Sequence, residues 1–152
     1  MKIGILREEK IPADERVPFT PDQCKWILDN TDVKLVVRSS EVRGFSDKEY
    51  SNLGIKVVED LSDCDVLIGI KEVPKSSLIK NKMYFYFSHT IKKQAYNRSL
   101  LQKMVEKNIR MIDYEIDSCG DGTYKLKQHF VLDTEKVLRI QEEIFSLKSQ
   151  RS

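Results

Sequence analysis

Arg16, Lys71, Glu72, His89 and Glu115 have side chains that could work together on one substrate. Arginine grips a carboxylate through two parallel hydrogen bonds, a geometry lysine cannot match. A lysine that is desolvated or crowded by another cation becomes a base near neutral pH. Histidine polarises a carbonyl or carries a proton. Such a set suits an amino-acid or keto-acid substrate that passes through an imine. The stretch "YFYFSHTIKKQ" (84–94) sharpens the point: an aromatic, strand-like run delivers His89 at its end, with Lys92 and Gln94 just beyond. The other histidine of the chain is His129, so a site-bearing imidazole falls to His89. Taken singly, each residue has an ordinary reading as a solvated ion, a cap or a surface lysine. Chemistry is argued only by where the fold would bring them together.

The elements that must do so alternate along the chain. "KIGIL" (2–6), "VKLVV" (33–37), "CDVLIGI" (64–70), "MYFYF" (83–87) and "IRMIDY" (109–114) have strand length. Several are apolar almost throughout, as strands buried on both faces are. Between them lie helical patterns. "TPDQCKWILDN" offers Thr20 as N-cap, Pro21 at the first helical position and Gln23 to close a capping box, with Cys24, Ile27 and Leu28 on one stripe. "SDKEYSNLG" repeats this grammar with Ser46, Glu49 and a terminating Gly54. "KQAYNRSLLQKMVEKN" predicts a longer helix with Leu100, Leu101, Met104 and Val105 inward and Asn108 at its end. The alternation predicts an α/β fold, a doubly wound, mostly parallel sheet with helices on both faces. Ligands of such sheets bind outside the carboxyl ends of the strands. Those ends carry Arg7 and Arg16 in a long charged loop, then Lys71 and Glu72, then His89, then Asp113 and Glu115.

Composition narrows the classes. Hydrophobic residues make up 40% and charged residues 33% of 152, as in one globular domain with a real core. With 26 basic against 24 acidic residues and no basic stripe, nucleic acid is not an expected partner. No run approaches the roughly 20 apolar residues of a membrane span, and "MKIGILREEK" enters a strand pattern at once, so a cytoplasmic chain is expected. Cys24, Cys64 and Cys119 show no metal-ligand spacing, and none of these positions is expected to bind a metal. Gly4, Gly44, Gly54, Gly69, Gly120 and Gly122 never form G-x-G-x-x-G, so the fold is Rossmann-like without a dinucleotide fingerprint. The segment "DTEKVLRIQEEIFSLKSQRS" reads as an amphipathic helix whose stripe (Val137, Ile140, Ile144, Leu147) packs on the sheet or on another chain.

Five motifs, "KIGILREEK", "ERVPFTPDQ", "GIKEVP", "YFYFSHTIKKQ" and "IDYE", occur in that order. Together they resemble the N-terminal domain of the superfamily of alanine dehydrogenase, pyridine nucleotide transhydrogenase and saccharopine dehydrogenase (lysine-forming), with "FSHTIKKQ" and "IDYE" most similar to the saccharopine dehydrogenase (lysine–ketoglutarate reductase) branch. The resemblance covers residues 1–117 as the substrate domain, with 118–152 a divergent strand and helix completing it. It implies that Lys71 and His89 are the acid–base pair, that Arg16, Lys92 and Gln94 contact substrate, and that Glu72 and Glu115 tune the basicity of that pair. It implies the substrate-binding half of an NAD(P)-dependent amino-acid oxidoreductase in lysine metabolism, acting on saccharopine, lysine and 2-oxoglutarate, or on alanine and pyruvate. The chain departs from the family after "DYE", where a Lys/Glu-rich helix replaces an Ala/Gly-rich continuation, and at Pro18, where a small residue is usual. The expectation is therefore a chain that binds no NAD(P) itself and is inactive alone, with an NAD-binding partner chain or a homodimer as its assembly. The alternative is a non-catalytic ligand-binding or regulatory module for an amino acid or keto acid.

Overall fold

The two capping boxes form as the sequence requires. The structure, a computed structural model, describes residues 1–87 and 97–113. The Thr20 side chain accepts from the Gln23 amide while the Gln23 side chain accepts from the Thr20 amide, opening α1 (Pro21–Asn30). Ser46 and Glu49 do the same for α2 (Asp47–Asn52), which Gly54 ends at φ +80°, a conformation a side chain would strain.

The strands are β1 (Lys2–Ile5), β2 (Lys34–Arg38), β3 (Lys56–Val58), β4 (Val66–Lys71), β5 (Met83–Phe87) and β6 (Arg110–Asp113), with α3 (Arg98–Glu106) between the last two. All pairings are parallel and the order is β3-β2-β1-β4-β5-β6. The sheet is thus doubly wound and Rossmann-like, and its direction of winding reverses between β1 and β4. β3 is absent from the sequence reading because "KVV" is short and partly exposed, too brief to show a period.

Two cores sandwich the sheet. Ile3, Ile5, Leu35, Val37, Ile68 and Phe85 point to the side covered by α1 and α2, where Cys24, Ile27 and Tyr50 meet them. Val36, Leu67, Tyr84 and Tyr86 point to the other, where Leu100 and Met104 of α3 pack with Leu61, Val73 and Leu78. Alternate side chains thus serve opposite cores, which is why the strands read as apolar throughout. One expectation fails on α3. Leu100 and Met104 are buried, but Leu101 and Val105 are exposed. They lie one residue, about 100° of helix rotation, beyond the buried line, and a single sheet face does not reach that far.

Cys24 and Cys64 are buried free thiols, and burial pushes them up to about 12 and about 11. That accords with inert core thiols. Among the described residues no group of three His, Cys, Asp or Glu side chains is placed to hold a metal ion, and no helix is long and apolar enough to cross a membrane. Cys119, His129 and the whole 118–152 segment lie outside the described residues.

Candidate active site

Because the strands are parallel, β1, β4, β5 and β6 all end on one edge of the sheet. β4 delivers Lys71 there, opposite Phe87 of β5, and the register between these strands shifts between Ile68 and Lys71. Such irregularities re-aim a strand's end near functional sites. Here the consequence is concrete. The backbone amides of Ile70 and Lys71 both donate to the Glu8 carboxylate, at 2.7 and 3.0 Å. β1 has stopped pairing by this point, after the Leu6 amide donates to the Ile68 carbonyl, and the Glu8 side chain takes over as acceptor. Gly69 makes room for it: a Cβ there would sit 3.0 Å from Leu6 and 3.3 Å from Glu8 Oε1. Burial raises the Glu8 carboxyl above its ordinary range, against the two amide bonds that favour its ionised form.

The loop after β1 brings Arg16 to the same place through Asp14. Arg16 Nε and Nη2 donate to the two Asp14 oxygens at 2.9 and 2.6 Å, and the Arg16 amide donates to Asp14 Oδ1 at 3.1 Å. Lys71 Nζ lies 3.3 Å from Asp14 Oδ2. One buried carboxylate therefore holds both cations. The Arg16 side chain remains 54% exposed, and among the described residues no acceptor meets its Nη1. The outer edge of the guanidinium is free to take a second carboxylate in the planar, two-bond manner.

Glu72 turns elsewhere. Its Oε1 pairs with Lys10, and its Oε2 is buried with no partner among the described residues. The carboxylate against Lys71 is Asp14. His89, Lys92, Gln94 and Glu115 lie outside the described residues. Asp113 ends β6 on the shared edge and Arg7 follows β1.

Sequence reasoning passed over Glu8 and Asp14. For Asp14 a local signal exists, since an Asp two residues before an Arg can accept that residue's amide. Glu8 carries no such signal, because its partners are 62 and 63 residues away.

The Arg16 hydrogen bonds, ahead of opposing burial, hold the Asp14 carboxyl down at about 2 against an ordinary 3.8. A lowered folded value stabilises the protein above the ordinary range, and that stability disappears as pH falls through the folded value. Asp14→Asn should therefore cost on the order of 1–2 kcal/mol at pH 6, discounted for the exposed Arg16, and progressively less from about pH 4 towards pH 2. Urea midpoints of both proteins across that range test this; a difference that stays constant would remove Asp14 from the ion pair.

The profile described as "Alanine dehydrogenase/PNT, N-terminal domain" matches residues 4–119. A mitochondrial alpha-aminoadipic semialdehyde synthase of Bos taurus is 39% identical over 111 residues, 72% of this chain and 12% of that protein. An NAD(+), L-lysine-forming saccharopine dehydrogenase of Schizosaccharomyces pombe is 32% identical over 124 residues, covering 77% of this chain and 33% of that enzyme. A transhydrogenase structure from Sinorhizobium meliloti superposes with a TM-score of 0.64 at 15% identity, over 76% of this chain and 35% of that one, a likeness of fold. The chain thus spans a third or less of the curated relatives it is compared with here. On the family match, this chain belongs to the alanine dehydrogenase/PNT N-terminal domain family.

Proposed function

We propose that this domain is the substrate-binding half of an amino-acid oxidoreductase of the saccharopine dehydrogenase (lysine-forming) or alanine dehydrogenase type. The observation that carries this is the Arg16–Asp14–Lys71 cluster, in which a preset guanidinium with a free edge stands beside an amine on the end of a strand. A substrate carboxylate docks on the outer edge of Arg16. Asp14 keeps that guanidinium planar to the incoming group and holds Lys71 within reach of the substrate nitrogen. In this reading Lys71 moves a proton at that nitrogen and His89 serves as the second acid–base group. Lys92 and Gln94 hold the rest of the substrate, Glu115 adjusts the basicity of the pair, and Asp14 stands against Lys71 where Glu72 was expected, since Glu72 pairs with Lys10 instead.

The described residues do not fit a dinucleotide. Where a Gly-rich turn would let a pyrophosphate approach, β1 is followed by Leu6, Arg7, Glu8 and Glu9, with no glycine in the turn and two carboxylates that would repel a phosphate. NAD(P), which supplies the hydride chemistry in this type of enzyme, would be held by another domain or a partner chain. The domain reads as 1–117 with 118–152 completing it.

Calorimetric titration with saccharopine tests the reading. Binding should weaken by about 10–100-fold in Arg16→Ala, the loss of a charge-assisted pair. Lys71→Met should bind with similar affinity but fail to support saccharopine-dependent NADH formation when an NAD-binding domain is added. Turnover that survives Lys71→Met would reject the acid–base role and favour a ligand-binding module. Binding that survives Arg16→Ala would reject the site.

A further inference from the structure

The same sheet edge carries a second, separate cleft. It lies where the winding reverses between β1 and β4, the place at which open α/β sheets form a crevice. Arg7 and Glu9 from the β1 exit line it, with Arg38 from the end of β2, Glu59 after β3, and an apolar wall that includes Leu61, Val73 and Ile79. It shares no residue with Asp14, Arg16 or Lys71. Glu8, between Arg7 and Glu9, turns instead to the amides of β4. Its volume of about 230 Å³ is below the range of about 300–1,000 Å³ typical of larger ligands. That suits an occupant of amino-acid size.

The cations here are loosely held, although Arg7 Nη1 also donates to the Ser39 carbonyl at 3.2 Å. Arg7 and Arg38 both reach the same oxygen of Glu9, each at 3.4 Å, well beyond the roughly 2.7–2.9 Å of a tight charge-assisted pair. Arg7 reaches Glu59 at 3.4 Å as well. Arg38 Nε is buried with no acceptor among the described residues, a costly arrangement for a donor. Glu9 is also drawn away by the Ser77 hydroxyl, which donates to its other oxygen at 3.2 Å. On the acidic side, Asp60 is occupied by the Ser62 amide and hydroxyl at 2.9 and 2.6 Å, whereas the Glu59 side chain is 70% exposed. The cleft thus offers two guanidinium groups held to carboxylates only by long 3.4 Å contacts, an exposed Glu59 whose contact with Arg7 is one of these and can be exchanged for a ligand, and an apolar wall beside them.

We propose that this cleft is a binding site for a small aliphatic α-amino acid. The ligand's carboxylate is received by Arg7 and Arg38, its ammonium by Glu59, and its side chain by Leu61, Val73 and Ile79. The proposal is independent of the Arg16 site.

The test uses the full chain carrying Arg16→Ala, so that the edge site does not compete, and L-leucine as the probe in NMR titrations. Leucine should saturate with a Kd of about 10 mM or tighter, shifting the Val73 and Ser77 amides. 4-Methylpentanoate, which lacks the ammonium, should bind at least tenfold more weakly, and isoamylamine, which lacks the carboxylate, should not saturate. Arg38→Gln should weaken leucine at least tenfold. Glu59→Gln, at an exposed position that leaves folding intact, should erase most of the gap between leucine and 4-methylpentanoate. Leucine that fails to saturate on the folded chain overturns the site. So does saturation that Glu59→Gln leaves unchanged, or that shifts neither the Val73 nor the Ser77 amide.

Discussion

Glu8→Ala should destabilise the domain by about 2–4 kcal/mol, since it strips the acceptor from two buried or part-buried amides at once. Ile70 is fully buried, and both its amide and that of Lys71 end on Glu8. No neighbouring strand can replace the carboxylate, because β1 leaves the ladder after Leu6. Glu8→Gln should cost roughly half as much, since one amide then faces an oxygen and the other an NH₂ group. The pH dependence has a definite sign. Burial raises the folded value of this carboxyl, so its contribution is fully present below the ordinary carboxylate range and declines as pH rises through that raised value. The cost of Glu8→Ala should therefore be larger at pH 4 than at pH 7, the reverse of Asp14→Asn. Urea unfolding at the two pH values measures it. Hydrogen exchange at Ile70 and Lys71 should quicken in the variant while Ile68 stays protected. A change below about 0.5 kcal/mol, with exchange unaltered, would mean these amides find other acceptors.

That Glu8 went unnoticed in the sequence shows what one chain can and cannot reveal. The capping boxes at Thr20 and Ser46 were legible because every partner lies within three residues. The parallel sheet was legible because strands covered on both faces must be apolar at every position. The place of Lys71 on the shared edge was legible because topology brings a strand's end there. Its companions were not equally visible. Asp14 reaches Lys71 across 57 residues, a separation at which no spacing rule operates. The second cleft is assembled from the end of β2 and from residues after β1, β3 and β4, and only the strand order puts them together. Leu101 and Val105 failed in the other direction. Their spacing is helical, but how wide a stripe is buried depends on what the helix meets.

The loop that bears Arg16 is fixed from below, and Tyr50 is the post it stands on. Tyr50 is fully buried, its hydroxyl donates to the Phe19 carbonyl at 2.8 Å, and the Arg43 guanidinium lies 4.6 Å from the centre of its ring. A second tie runs from the Gly44 amide to the Glu15 carbonyl at 2.8 Å, next to Arg16 itself. Tyr50→Ala should cost about 3–5 kcal/mol, as large aromatic-to-alanine changes in a core do, because a cavity opens among Phe19, Cys24 and Ile27. That is a large part of the total stability of a small domain, about 5–15 kcal/mol. Tyr50→Phe keeps the ring and leaves the Phe19 carbonyl without its donor, for about 1–2 kcal/mol. The two variants separate stability from positioning. If the hydroxyl fixes the loop, Tyr50→Phe should stay folded at 25 °C and yet lose about threefold in Arg16-dependent binding of saccharopine, roughly 0.6 kcal/mol. Unchanged affinity in a folded Tyr50→Phe protein would show that the Gly44–Glu15 tie and the Asp14 pair suffice to place Arg16, and that Tyr50 serves the core alone.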